Sequence, residues 1–521
     1  MTTTDPPATT VTTARWPAAL AGLVGAAVAL GASELIAGLL PGAPSLIAAV
    51  GQTVIDLQPA GAKDVVVALF GTNDKLAFEL FIAVVATIIG AGLGILGRTR
   101  FPLAALGFVA FGAIGFAAAI GDPFTSPALA VVSVAVSVAL GIRVMSWLLS
   151  RASGATRRTV AATPDWSRRS LLLQGGALGV TAVVAGVGGR ALLERARSAP
   201  AAAADEIPPA SDTLDDLVDA TDLSPQVAGL SPIVIPNDRF YRIDTALLTP
   251  VVDAASWSLR IHGMVDRETT LTWDELLGLP LFEQYVTIAC VSNEVGGNLV
   301  GNAKWTGVRL REVLDLAGVQ QGATQLVGRA VDGWTAGMPT AWIMDPTREP
   351  MIAVRMNEEP LPAQHGFPAR LIVPGLYGYV SATKWLSELE LTTLEAFDGY
   401  WVPLGWAKEA PILTQARIDT PRRGARLAAG TMPIAGVAWA PDRGVSRVEV
   451  AIDDEWRDAR LSSPISDATW VQWVVDWEAT PGQHRISVRA TDGEGTLQEE
   501  RSTPPAPDGA RGWHTVAVDV A

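Results

Sequence analysis

A single cysteine, Cys290, stands in 521 residues. No intrachain disulfide can form. No cysteine-ligated iron–sulfur cluster, CxxCH haem site or cysteine-rich zinc site can be built. Histidine is nearly as scarce: His262, His365, His484 and His514 complete the set, and none lies in an apolar stretch. That excludes a bis-histidine haem inside a membrane portion. Basic charge is also short, with 39 Lys and Arg against 53 Asp and Glu for a net charge of −14. An acidic chain without a basic tract is a poor nucleic-acid binder.

Apolar residues are in excess: 49% of the chain is hydrophobic, and its mean hydropathy is positive. Five apolar stretches precede residue 195, at 17–40, 75–96, 102–121, 127–149 and 171–192. Each approaches or exceeds the ~20 residues that cross a bilayer core. The shorter stretches 45–55 and 65–71 read as interfacial or loop. Arg15, Arg98, Arg100, Arg151, Arg157, Arg158, Arg168 and Arg169 fall on one side if the N-terminus is cytoplasmic. The positive-inside rule then puts loops 41–74 and 122–126, and everything after residue 195, outside. Glu34 and Glu79 lie in or at the outer ends of spans, and the interfacial reading is preferred to a proton pathway.

This organisation predicts a four-span region over 1–150, a basic linker with a fifth span over 151–195, and an Ala/Pro-rich linker over 196–210. From 211 to 408 short apolar runs mix with helix-like pieces in an α+β pattern. Thr272 and Glu275 form a capping box before "WDELL", and "VRLREVLDLAGV" has helical periodicity with a glycine stop. From 409 to 521 short β-branched and aromatic runs separated by Gly, Pro and Asp predict an all-β sandwich of about seven strands.

Cys290 follows the strand-like "EQYVTIA" and precedes the polar, flexible loop "VSNEVGG". A lone cysteine is usually a buried small hydrophobe, so its surroundings decide its role. "VTIACVSNEVGGNLVGNAKWTGVRLREVL" (286–314) and "MNEEPLPAQHGFPARLIVPGLYGYVSATKWL" (356–386) resemble the sulfite oxidase family of molybdopterin enzymes. Residues 434–456 and 482–498 are similar to that family's C-terminal immunoglobulin-like dimerisation domain. The matches run in family order over about 230–521, and the spans lie outside them.

The resemblance implies one molybdopterin holding molybdenum, with Cys290 as the protein's metal ligand and catalytic residue. Thiolate is a soft ligand suited to that role. Cofactor binding is expected from His365 and Arg370 of "HGFPAR", from Thr383 and Lys384 of "SATKW", from Asp238, Phe240, Tyr241 and Arg242 of "IPNDRFYRIDTAL", and from Thr335. The chemistry implied is two-electron oxygen-atom transfer. No arginine follows the cysteine, and Glu294 sits there instead, which disfavours an anionic substrate such as sulfite. Where sulfite oxidases carry a catalytic tyrosine, Trp406 stands, with Tyr400 near. The N-terminal segment looks closer to the family's exported branch of protein-methionine-sulfoxide reductase type, so reduction of an S-oxide or N-oxide is favoured. "SRRSLLL" (167–173) resembles a twin-arginine export signal retained as an anchor. With neither haem nor an iron–sulfur cluster in the chain, electrons must pass through a separate partner: a membrane cytochrome, a quinone-linked protein or a soluble carrier. A homodimer is a further expectation. The competing reading is a non-enzymatic membrane-anchored surface protein with an adhesive β-sandwich.

Overall fold

The computed structural model describes residues 15–57, 74–157, 166–198 and 207–521. The 65–71 stretch, Arg158 and most of the 196–210 linker lie outside the described residues. The chain divides into a helical unit (1–199 with 246–249) and a β-rich unit (200–245 with 250–521).

In the helical unit, α1 (Arg15–Leu39), α3 (Asp74–Gly97), α4 (Phe101–Ala119), α5 (Pro127–Arg157) and α6 (Trp166–Ser198) each contain a segment long and apolar enough to cross a membrane. The short apolar stretch near residue 50 is a helix, α2 (Leu46–Asp56). With 11 residues, or about 16 Å of rise, it cannot span. Helices in lipid gain little from mutual hydrophobic burial, so small residues that let backbones meet hold them together. A Cβ on Gly22 of α1 would lie 2.0 Å from Gly90 O of α3, and one on Gly31 would lie 2.3 Å from Ala182 O of α6. Gly31→Leu is expected to force α1 from α6 and to cost roughly 1–3 kcal/mol by overpacking. Thermal unfolding in detergent reads this directly, and an unchanged melting temperature would contradict it.

Glu34 is buried, and its role is local. Ser45, the N-cap of α2, donates to the carboxylate at 2.8 Å, and Ile47 N approaches at 3.4 Å. Glu79 pairs with Arg190 at 2.7 Å.

The β-rich unit is built on four sheets. The first has the order β2-β1-β10-β5-β6: β1 (Ser258–Gly263), β2 (Thr269–Thr272), β5 (Gln325–Ala330), β6 (Thr335–Pro339) and β10 (Leu386–Thr392). The second runs β3-β4-β7-β8, with β9 on β7: β3 (Leu281–Ala289), β4 (Val300–Arg309), β7 (Met351–Met356), β8 (Glu359–Pro360) and β9 (Arg370–Ile372). Its helices are short. The expected capping box is present at α7 (Trp273–Leu277). Helix α8 (Leu310–Ala317) ends at Gly318, which has φ 73°. Turns α9 (Thr340–Ile343) and α10 (Gly378–Ser381) complete the set. Strands thus outweigh helices in the segment read as α+β.

The remaining strands are β11 (Gln415–Thr420), β12 (Arg426–Leu427), β13 (Gly430–Trp439), β14 (Val445–Ile452), β15 (Glu455–Asp458), β16 (Arg460–Leu461), β17 (Val471–Ala479), β18 (Gly482–Asp492) and β19 (His514–Val520). They form a four-stranded sheet, β11-β13-β17-β16, and a five-stranded one, β12-β19-β18-β14-β15. Alternate residues of both, including Ile434, Trp473, Val448 and Val488, share one apolar core. The two short strands β12 and β16 explain why about seven were expected. This β-layered segment is tied to the rest of its unit: Thr287 N donates to Ala468 O at 2.9 Å, and Trp470 Nε1 donates to Ile233 O at 2.9 Å.

Candidate active site

Strand β3 is buried over its last five residues and delivers Cys290 at its end. The thiol is buried. Residues 290–299 close on themselves. Cys290 N donates to Leu299 O (2.9 Å), Asn293 N to Cys290 O (3.0 Å), and Gly297 N to Glu294 O (2.8 Å). Leu299 N donates to Asn293 Oδ1 at 2.8 Å. The polar loop that looked flexible in sequence therefore presents its cysteine from a fixed frame.

A second group of side chains converges nearby. Phe240 is buried; its ring stacks on Tyr241 (5.2 Å) and meets Trp305 (6.1 Å) and His365 (5.8 Å) edge-on. His365 ends a short turn, and its Nε2 donates to Asn237 O at 3.1 Å, which leaves Nδ1 as the acceptor. Burial, with Arg370 and Lys384 beside it, pushes His365 down to about 3, so it is neutral. Arg370 opens β9 beneath Trp305, with 5.3 Å from guanidinium carbon to ring centre. Its Nη1 donates to His365 O at 3.3 Å, while Nε is buried without a partner. Burial lowers Arg370 to about 10. Lys384 Nζ donates to Asp244 (2.7 Å) and to Gln364 O (3.2 Å). Burial outweighs that carboxylate and lowers Lys384 to about 8. Arg242 meets the same carboxylate at 2.9 Å.

Tyr241 links the two groups. Burial first, then the neighbouring Cys290, raise its pKa, and Arg370 opposes them. Tyr377 also lies within electrostatic reach of Cys290, and burial pushes it up to about 12. Both phenols stay protonated.

Tyr241, Arg242, His365, Arg370 and Lys384 are thus brought together, with Phe240 as an aromatic support. Other expected residues stand apart from that cluster. Asp238 is exposed on its turn. Thr335 Oγ1 accepts from Tyr400 N at 3.1 Å. Thr383 is fully buried, and its Oγ1 lies 2.5 Å from where a Cβ on Gly328 would be. Trp406 packs on Tyr379 (5.9 Å), and Tyr400 on Trp401 (5.1 Å). Sequence reasoning missed Asp244, Tyr377 and the half-buried Asp332, whose carboxyl is raised by burial and by Asp244. Of these only Asp244 carried a signal, two residues after Arg242.

Three cations meet here, and one of them, Arg370, is buried with an unused donor. Desolvating a guanidinium is costly, and Asp244, the carboxylate within its electrostatic reach, already pairs with Lys384 and Arg242, so the arrangement suits an anionic ligand that completes its hydrogen bonds. The phosphate of molybdopterin fits that description, and the cysteine at the strand end fits a soft metal.

Residues 246–401 match the family "Oxidoreductase molybdopterin binding domain". Human mitochondrial sulfite oxidase is 28% identical over 321 residues, covering 52% of this chain and 58% of that protein. The sulfite oxidase of Macaca fascicularis is 29% identical over 55% of this chain and 62% of its own length. Rice nitrate reductase [NADH] 1 (Oryza sativa subsp. japonica) is 28% identical, covering 48% of this chain and 34% of its own length. The chain therefore spans only about six-tenths of those sulfite oxidases. The sulfane dehydrogenase SoxCD of Paracoccus pantotrophus superposes with a TM-score of 0.48 at 20% identity, over 56% of this chain and 84% of that one. Residues 246–401 are thus a molybdopterin-binding oxidoreductase domain. The curated relatives it resembles are sulfite oxidases and a nitrate reductase. The reading as a non-enzymatic surface protein is thereby set aside.

Proposed function

We propose that the protein is a membrane-anchored, extracytoplasmic molybdenum enzyme in which Cys290 ligates the metal and Arg370, Lys384 and Arg242 hold the molybdopterin phosphate. The observation that carries this is the buried, incompletely bonded Arg370, which like Cys290 is in electrostatic contact with Tyr241, inside the matched domain. When bound, the cofactor supplies two-electron oxygen-atom transfer. The chain's residues orient and shield it. Arg370 offers a fork that suits a phosphate, neutral His365 offers an acceptor nitrogen, and Tyr241 offers a hydroxyl proton near the thiolate. Asp238, Thr335 and Thr383 are assigned supporting roles toward the pterin.

The substrate we favour is a neutral S-oxide or N-oxide, undergoing reduction. Glu294 follows the cysteine in place of an arginine, and Arg417, which bonds to the same loop, is already neutralised by Asp419 at 2.6 Å. Sulfite oxidation is the second reading, favoured by the names of the curated relatives. Charge asymmetry around the spans supports a cytoplasmic N-terminus and an outward catalytic unit, delivered by the twin-arginine-like segment. The two-layered β segment is read as the immunoglobulin-like domain, with dimerisation as its family role. Electrons pass through a separate carrier.

Metal and pterin analysis of protein matured in a competent host tests the cofactor. A dye-linked screen of sulfoxides, N-oxides and sulfite tests the substrate: turnover of sulfite alone would overturn the favoured one. Protonated Lys384 should hold phosphate best, so pterin retention is expected to fall as pH rises through about 8. Stability runs the opposite way. The ordinary lysine value is 10.5, so between about 8 and 10.5 the unfolded chain binds a proton that folded Lys384 has released. Folding of the apoprotein is then favoured by rising pH, and this contribution disappears as pH falls through 8. Melting curves of wild type and Lys384→Met across that window read the difference, and parallel curves would contradict it.

A further inference from the structure

The loop that carries Cys290 is gripped from outside the matched domain. Arg417 of β11 is buried, and its Nη1 donates to Gly297 O at 2.9 Å. Its other donors are fixed: Nε on Asp419 (2.6 Å) and Nη2 on Ser231 Oγ (3.0 Å). Asp419 in turn accepts from Ser231 N at 3.0 Å. The guanidinium is therefore held rigidly before it reaches the loop. His514, first residue of β19, supplies the second hold. A Cβ on Gly296, whose φ is 77°, would fall 2.3 Å from the imidazole Cδ2, so the glycine Cα lies directly on that ring. The ring is oriented by Ile418 N, which donates to Nδ1 at 3.0 Å. A bare glycine is required here, because a side chain would meet the imidazole and strain the positive φ.

We infer that Arg417 and His514 of the C-terminal β segment are positioning residues for the Cys290 loop. They hold Gly296 and Gly297 so that the thiol stays directed at its metal. This gives the C-terminal segment a role in the active site itself, independent of subunit association. The inference rests on the reading of Cys290 as a ligand. Physically, a loop fixed only by its own hydrogen bonds opens easily. One buried charge-assisted bond and one ring contact from a separate sheet suppress that opening.

Alkylation of Cys290 by iodoacetamide, in the full-length apoprotein, measures opening without any metal. Arg417→Ala is expected to raise the rate about tenfold, the scale of one lost charge-assisted hydrogen bond, and Arg417→Lys to restore most of it. His514→Ala, which leaves Arg417 in place, should raise it less. Arg447→Ala, at an exposed ion pair with Asp458 in the same segment, controls for general loosening. In cofactor-loaded protein the thiolate-to-metal charge-transfer band should shift in Arg417→Ala and stay in place in Arg447→Ala. Equal alkylation rates for wild type, Arg417→Ala and His514→Ala would overturn the inference, as would equal acceleration in Arg447→Ala. Failure of the ligand reading shows separately, as Cys290 alkylated equally fast in loaded and apo wild type.

Discussion

Cys290→Ala should give a folded protein that still carries pterin and has lost oxygen-atom transfer by at least about 10³-fold, equivalent to ~4 kcal/mol of transition-state stabilisation. The two halves of that result come from different places. The thiol is a small buried group at a strand end, so deleting its sulfur costs folding only ~1 kcal/mol. The frame around it uses the backbone of Cys290 and the side chain of Asn293, and alanine keeps both. Pterin retention depends instead on Arg370 and Lys384. Steady-state turnover beside fluorescence detection of released pterin measures both halves. Activity within a few-fold of wild type would show that the cysteine is the buried hydrophobe its isolation suggests.

Arg370→Met has an unusual expected sign. In the apoprotein Arg370 is a buried cation whose Nε has no partner. Replacing such a charge by an apolar chain of similar length is expected to leave apoprotein stability unchanged or to raise it by ~1 kcal/mol or more. The same change removes the fork that would meet the cofactor phosphate. At ~1.5–3 kcal/mol for each hydrogen bond to a charged group, two lost bonds weaken retention by about 10²- to 10⁴-fold. Melting of the apoprotein and pterin content after dialysis separate the effects. A clear fall in apoprotein stability with pterin retained would mean that Arg370 is structural.

Features that one local stretch encodes were legible in the sequence. The capping box at Thr272 and Glu275 forms as read. The five apolar stretches are helices of spanning length, and Cys290 directly follows a strand. What escaped depends on contacts between distant segments. Asp244 acquires its role because Lys384, 140 positions away, folds onto it. Tyr377 shows only a tyrosine in a Gly/Pro break, and its nearness to Cys290 comes from the way β3 and α10 meet. Adjacent residues of a motif also diverge in direction. Lys384 joins the ionic cluster, while Thr383 packs on Gly328 of β5. The grip of Arg417 and His514 on the cysteine loop was invisible for the same reason. Nothing in "TQARIDT" or "GWHTV" announces a partner more than a hundred residues upstream.

The bond between Cys290 and molybdenum can be examined most directly by X-ray absorption at the metal edge on cofactor-loaded protein. Wild type should show one more sulfur neighbour than Cys290→Ala. Identical sulfur shells in the two proteins would contradict the assignment.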